Sequence, residues 1–175
     1  MTVPHLSRSC FMLRWLWLSV VVIVLDQLSK YYFNHHLSLH EQLPVMPFFS
    51  FTLAYNTGAA FSFLSDASGW QRWFFISIAA IASVVLVVWM KRLRSDEKLQ
   101  AAALALILGG ALGNVWDRIA LGYVVDFLLF YYDIYYFPAF NLADSAITLG
   151  AGLLISGMFI HPRLTTDTNK DEQGT

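Results

Sequence analysis

Four stretches of this chain run for about twenty mostly apolar residues, the length an α-helix needs to cross the hydrocarbon core of a bilayer. They cover residues 13–33, 70–90, 99–116 and 140–160. Only helices and closed barrels satisfy every backbone polar group inside lipid, and apolar runs of this length read as helices. The expectation is a membrane α-helical fold, a four-transmembrane-helix bundle forming a single integral-membrane domain over residues 1–164. The polar stretch 165–175 is expected to be a disordered cytoplasmic tail. The first run is too long for a cleaved signal peptide and no small-residue cleavage site follows it, so it reads as a retained anchor. Composition agrees, with 57% hydrophobic and 13% charged residues, where soluble domains carry about 45–50% and about 25%. A net charge of −1 with scattered basic residues argues against a nucleic-acid partner. The lone Cys10 excludes a disulfide scaffold.

Lys and Arg placement sets the expected orientation. Arg8 and Arg14 precede or open the first span, Lys91, Arg92, Arg94 and Lys98 crowd the loop between spans two and three, and Arg163 and Lys170 follow span four. Residues 34–69 contain no Lys or Arg. Both termini and the 91–98 loop are therefore expected in the cytoplasm, with 34–69 and 117–139 facing outward. In the first outward segment Phe49, Phe51, Leu53 and Tyr55 alternate with Ser50, Thr52, Ala54 and Asn56. That period of two predicts a strand with one apolar face. Asn56-Thr57-Gly58 reads as a turn, Ala59 to Phe63 as a second short strand, and Tyr123 to Phe130 as another strand or a loop at the interface. A small extracytoplasmic β-sheet over about residues 44–66, lying on the outer leaflet as a cradle, accounts for these patterns.

Charges inside a membrane are expensive, and each one asks for a reason. Asp26 and Lys30 stand four residues apart in the first span, on one helix face, and read equally as a structural ion pair. Asn114, Asp117 and Arg118 close the third span, where an acidic–basic pair is commonly structural. Asp126 interrupts the apolar run Val124 to Leu129. Asp144 follows Asn141 at a spacing that fits a helix cap, with Asn141 as N-cap and Asp144 at the third helical position. The small residues Ala101, Ala105, Gly109 and Gly113 recur every four positions in span three, a stripe that lets helices approach closely in lipid.

Asp126 and Asp144 are both expected at the outer boundary. Two carboxylates sharing a dry site cannot easily both ionise. Such a pair can activate water with one member and polarise a peptide carbonyl with the other. The helix N-terminus favours Asp144 as the ionised member. Other readings remain open on the residues alone. Asp117, Asp126 and Asp144 could hold magnesium in a lipid-phosphate enzyme with Arg118 on the phosphate, and Asp26 with Lys30 could be an ion relay in a small transporter subunit. Zinc hydrolysis lacks an H-E-x-x-H motif. Ser29 and Lys30, as helix neighbours, do not face each other.

Five blocks in order resemble the bacterial lipoprotein signal peptidase (signal peptidase II) family. They are Asp26-Gln27-Leu28-Ser29-Lys30, Asn56-Thr57-Gly58-Ala59-Ala60-Phe61, Gly109 through Arg118, Val124-Val125-Asp126-Phe127 and Phe140-Asn141-Leu142-Ala143-Asp144. The resemblance implies a multi-pass aspartic endopeptidase of the bacterial inner membrane with its active site on the periplasmic side. It implies a diacylglyceryl-prolipoprotein substrate, cut just before the lipid-modified cysteine. Asp126 and Asp144 are then the catalytic pair, and Asp26, Lys30, Asn56, Gly58, Asn114, Arg118 and Asn141 support the pair or hold substrate. No cofactor and no metal is implied. Membrane lipids are the surrounding partners, the cyclic peptide globomycin is the implied inhibitor, and the chain is expected to act as a monomer.

Overall fold

The computed structural model describes residues 12–58 and 69–160. Four helices dominate: α1 Leu16–His36, α2 Trp70–Arg92, α3 Lys98–Ala120 and α4 Leu142–Ile160. The first three are long and apolar enough to cross a membrane. The fourth has 19 residues, or about 28 Å at 1.5 Å per residue, close to the roughly 30 Å of a hydrocarbon core. Large apolar side chains face outward along the helices, among them Val20, Val24 and Leu28 on α1, Ile78, Ile81 and Val84 on α2, and Leu149 and Ile155 on α4. In water such a surface would aggregate; in lipid it is the solvated surface. The chain is a helical membrane protein with a small sheet.

α1 continues past its apolar run because its last turn supports itself. Tyr31 packs on His35 and Tyr32 on His36, with ring centroids 4.0 and 4.2 Å apart. Each histidine Nδ1 meets the carbonyl of that same tyrosine, at 2.9 and 2.8 Å. α3 likewise outruns its expected end, and Arg72 of α2 donates to the Ile119 carbonyl in its last turn (2.9 Å).

α3 is the central helix, and its small residues explain why. Gly109 lies against the Ser19 backbone and Val22 of α1, while Gly110 lies against Ala143 and Ile147 of α4. Gly113 borders Asp26 and Ala143, and Gly150 of α4 borders the Ala103 backbone and Ile107. Ser19 Oγ donates to the Ala105 carbonyl across the α1–α3 seam (2.7 Å). Toward the end that carries the 93–97 loop, Met12, Leu86, Met90, Leu93, Leu104 and Leu108 form an apolar core. Toward the opposite end the interior turns polar.

There the chain builds a four-stranded antiparallel sheet: β1 Gln42–Met46, β2 Phe49–Asn56, β3 Val124–Tyr132 and β4 Tyr135–Tyr136, in that order. The run from Tyr123 is thus a strand, and β2 finds its partners in β1 and β3. The strand expected at Ala59 to Phe63 lies outside the described residues, as do the tail 165–175, Arg8, Cys10, Arg163 and Lys170. β2 is the strand that the alternation predicts, and its polar and apolar residues are covered unevenly. Ser50 and Thr52 are buried, Phe49 and Phe51 are half-buried, and Tyr55 is exposed. The register shifts between Phe51 and Ala54, which turns Leu53 inward. Phe51 instead packs on Phe33 at the end of α1, and Phe33 stacks on Phe127 of β3, at 4.6 and 4.5 Å.

Candidate active site

Asp126 lies on β3, across from Ala54 of β2. Asp144 lies in the first turn of α4. The chain between them folds back through the β3–β4 pairing and then a bridge: Leu128 and Phe140 exchange backbone hydrogen bonds, at 2.8 and 3.0 Å. This places Asn141, the next residue, between the strand and the helix.

Asn141 then holds both acids. Its Nδ2 donates to Asp126 Oδ1 (2.7 Å), and its backbone N–H donates to Asp144 Oδ2 (3.3 Å). Its Oδ1 accepts from the Asp144 N–H (2.9 Å). The reciprocal helix cap foreseen from the spacing is present, and the same residues also join the two carboxyls. The remaining oxygens have donors too. Asn56 Nδ2 reaches Asp126 Oδ2 (3.1 Å) and Asn114 Nδ2 reaches Asp144 Oδ1 (2.8 Å).

Asp126 is 2% exposed. Desolvation pushes its pKa up to about 7, and the neighbouring Asp144 charge adds to the rise. The hydrogen bonds from Asn56 and Asn141, and the Lys30 charge, work the other way without cancelling it. Asp144 is half-buried, at a helix N-terminus whose dipole favours a negative charge.

Behind Asn114 lies a buried ionic cluster. Lys30 Nζ contacts Asp26 Oδ2 (2.8 Å), Asp117 Oδ2 (2.9 Å) and Asn114 Oδ1 (2.9 Å). The Asp26–Lys30 pair is as the helix spacing predicted. Asp117 departs from expectation: it pairs with Lys30 of α1, not with its neighbour Arg118, since adjacent helical residues point about 100° apart. Asp26 Oδ1 accepts from the Ala143 N–H (2.9 Å), and Asp117 Oδ2 from the Val125 N–H (3.2 Å). Each of these acids thus anchors the backbone one residue before Asp144 or Asp126.

Arg118 donates Nη1 to the Asn114 carbonyl (3.3 Å), and its guanidinium lies 5.0 Å over the Phe75 ring. It makes no ion pair among the described residues, yet the charges of Asp144, Asp126 and Asp117 all act on it. Gly58 adopts φ +100°, and its N–H donates to Asn56 Oδ1 (2.8 Å). A Cβ there would drive into the Phe75 ring. The nine residues that the family resemblance names, and Asp117 with them, therefore gather at one end of the bundle.

Two neighbours were not singled out. Gln27 donates to Asp117 Oδ1 (2.8 Å), and Phe75 forms the wall under Gly58 and Arg118. Gln27 carried a readable signal, a polar side chain within a membrane span; Phe75 carried none. Among the described residues no three His, Cys, Asp or Glu side chains cluster as metal ligands, and Asp117 is committed to Lys30. The arrangement offers two acids, each oxygen holding an N–H donor, with a cation close by.

Residues 18–160 match the family model for signal peptidase (SPase) II. The chain is 62% identical over 158 residues to the lipoprotein signal peptidase of Pseudomonas fluorescens (strain Pf-5), covering 89% of this chain and 93% of that one. It is 62% identical over 149 residues to the lipoprotein signal peptidase of Pseudomonas aeruginosa (strain UCBPP-PA14), covering 84% and 88%. A bacterial membrane enzyme solved by the in meso method at 2.3 Å resolution is similar in structure, with TM-score 0.74, 32% identity, and coverage of 93% and 94%.

Proposed function

The chain belongs to the signal peptidase II family, and from that premise we propose that Asp126 and Asp144 share one proton and hydrolyse the peptide bond of a membrane-anchored substrate. The family makes it a multi-pass inner-membrane protease with lipoprotein signal peptidase function. The finer reading is that the substrate is a diacylglyceryl-prolipoprotein, cut just before the modified cysteine. One observation carries the shared-proton reading: Asn141 binds Asp126 with its side chain and Asp144 with its backbone.

Asp144 carries the charge and Asp126 the proton. The ionised Asp144 takes a proton from water as the water oxygen attacks the scissile carbonyl carbon. Asp126 gives its proton to the carbonyl oxygen, so the tetrahedral intermediate forms as a neutral diol. On collapse, Asp144 returns its proton to the leaving nitrogen, and Asp126 recovers one from the diol hydroxyl. Both acids end as they began, with one water consumed. Arg118, close to both without pairing to either, stabilises the net negative charge of the pair. Sensitivity to globomycin, a cyclic peptide, belongs to the same reading.

The site is read as periplasmic. Lys91, Arg92, Arg94 and Lys98 mark the cytoplasmic end of α2 and α3. The dyad sits beyond the opposite end of α3, where a lipid-anchored substrate meets the outer leaflet.

Two results test this. Purified enzyme with a synthetic diacylglyceryl-prolipoprotein should release a product beginning at the lipidated cysteine, at a rate unchanged by EDTA. Inhibition by EDTA with recovery on adding magnesium favours a metal-dependent enzyme instead. The pH profile is the second. The proton on Asp126 is held below about pH 7 and lost above it. So kcat/KM should fall about tenfold for each pH unit on the alkaline side. A rate that stays flat from neutrality to roughly pH 9 removes the proton from Asp126.

A further inference from the structure

Three asparagine side chains point at the dyad, and an amide can point either its NH2 or its oxygen. Chemistry decides each case, because every Oδ1 here meets a group that can only donate. Asn56 Oδ1 accepts from the Gly58 N–H and Asn141 Oδ1 from the Asp144 N–H. Asn114 Oδ1 accepts from the Lys30 ammonium. The first two locks are backbone. The third is a side chain, buried at 3% exposure and itself held by Asp26 and Asp117.

We propose that Lys30 is a positioning residue that acts on the reaction through Asn114, holding that amide with its NH2 group on Asp144. Without the ammonium, Asp26 and Asp117 would attract the same NH2 group, and the amide would turn. Its oxygen would then face the Asp144 carboxylate, replacing a hydrogen bond with a repulsion. Asn141 Nδ2 also reaches Asn114 Oδ1, but at 3.2 Å, with its shorter bond (2.7 Å) committed to Asp126. The inference rests on the dyad reading, since it makes Asp144 the group that Asn114 serves. It gives the buried ion cluster a task beyond holding α1 to α3.

The test is a double-mutant cycle on cleavage of diacylglyceryl-prolipoprotein by folded, purified enzyme. Lys30→Met should lower kcat by about 10- to 100-fold, the worth of one hydrogen bond to a charged group, with KM unchanged. In an Asn114→Ala background the same change should lower kcat by less than about threefold, because its route to Asp144 is already gone. An equal loss in both backgrounds overturns the proposal, since Lys30 would then act by charge or by packing. Lys30→Met leaves two buried acids unpaired and can unfold the protein. The whole cycle is therefore repeated on Asp117→Asn, where removing Lys30 leaves one buried acid and the original net charge of the cluster; the same two outcomes decide it. Asp144→Asn in the same assay separates the failures. Retained cleavage there removes the dyad, whereas its loss beside an additive cycle removes only the Lys30–Asn114 lock.

Discussion

Asp126→Asn and Asp144→Asn are each expected to lower kcat/KM for diacylglyceryl-prolipoprotein by about 10³- to 10⁴-fold, the upper range for losing acid–base catalysis. Asn keeps the shape of Asp, but it carries no charge, passes no proton, and sets its NH2 group against one of the two N–H donors that each carboxyl holds. The two variants should differ in stability, and the difference tells loss of chemistry from loss of fold. Asp126 is buried, and burial raises its pKa to about 7. Between its ordinary value of 3.8 and about 7, the folded protein holds a proton that the unfolded chain has released. The native enzyme therefore loses stability as pH rises through that window. Asp126→Asn cannot ionise, so its stability relative to the native enzyme should grow across the window and level off above it. Asp144→Asn removes a charge that the helix dipole favours, a loss of about 0.3–1 kcal/mol, and turns one accepting oxygen into a donor facing Asn114 or the Asn141 N–H, so it should be less stable at every pH above the carboxylate range. Cleavage assays on detergent-purified protein, with melting followed at several pH values, check both. Substantial cleavage by either variant ends the dyad.

Much of this was readable before any coordinates, for reasons of length and cost. A bilayer demands about twenty apolar residues per crossing, so α1 to α4 announced themselves. A charge in such a run is expensive, so Asp26, Lys30 and Asp144 stand out there, and Asp126 stands out within the short apolar run Val124 to Leu129. What stayed hidden depended on contacts distant in sequence. No spacing rule says that Phe140 bridges to Leu128 and so brings Asn141 to Asp126. Nor could alternation in β2 reveal the bulge that turns Leu53 inward, or that Ser50 and Thr52 would be covered. The partner of Asp117, Lys30, lies on another helix, so the spacing within α3 does not reveal it. On spacing alone, Asn141 and Asp144 read as a helix cap or as part of the acid pair. The cap geometry instead leaves Asn141 Nδ2 free to hold Asp126, so one motif can serve both purposes.

Gly110→Val is expected to remove most folded, active enzyme, whereas Gly152→Val, on the same pair of packed helices, should be nearly silent. A Cβ at Gly110 would press on the Ala143 carbonyl, with Ile147 Cγ1 at 2.8 Å. The obstacle is backbone, so no rotamer change relieves it. The Ala143 N–H is tied to Asp26 (2.9 Å), so this turn of α4 cannot slide without breaking that bond. Forcing extra methyls into such a seam costs about 1–3 kcal/mol or more, and the displaced turn is the one that carries Asp144. A shift of roughly 1 Å there costs about 10²-fold in rate even in molecules that fold. Gly152 has nothing within 4 Å of its built Cβ, so a valine there meets only the surrounding medium. Melting temperature and cleavage rate, measured side by side in the same detergent, check the contrast. If the two valines behave alike, the close approach of α3 and α4 at Gly110 is not what sets the position of Asp144.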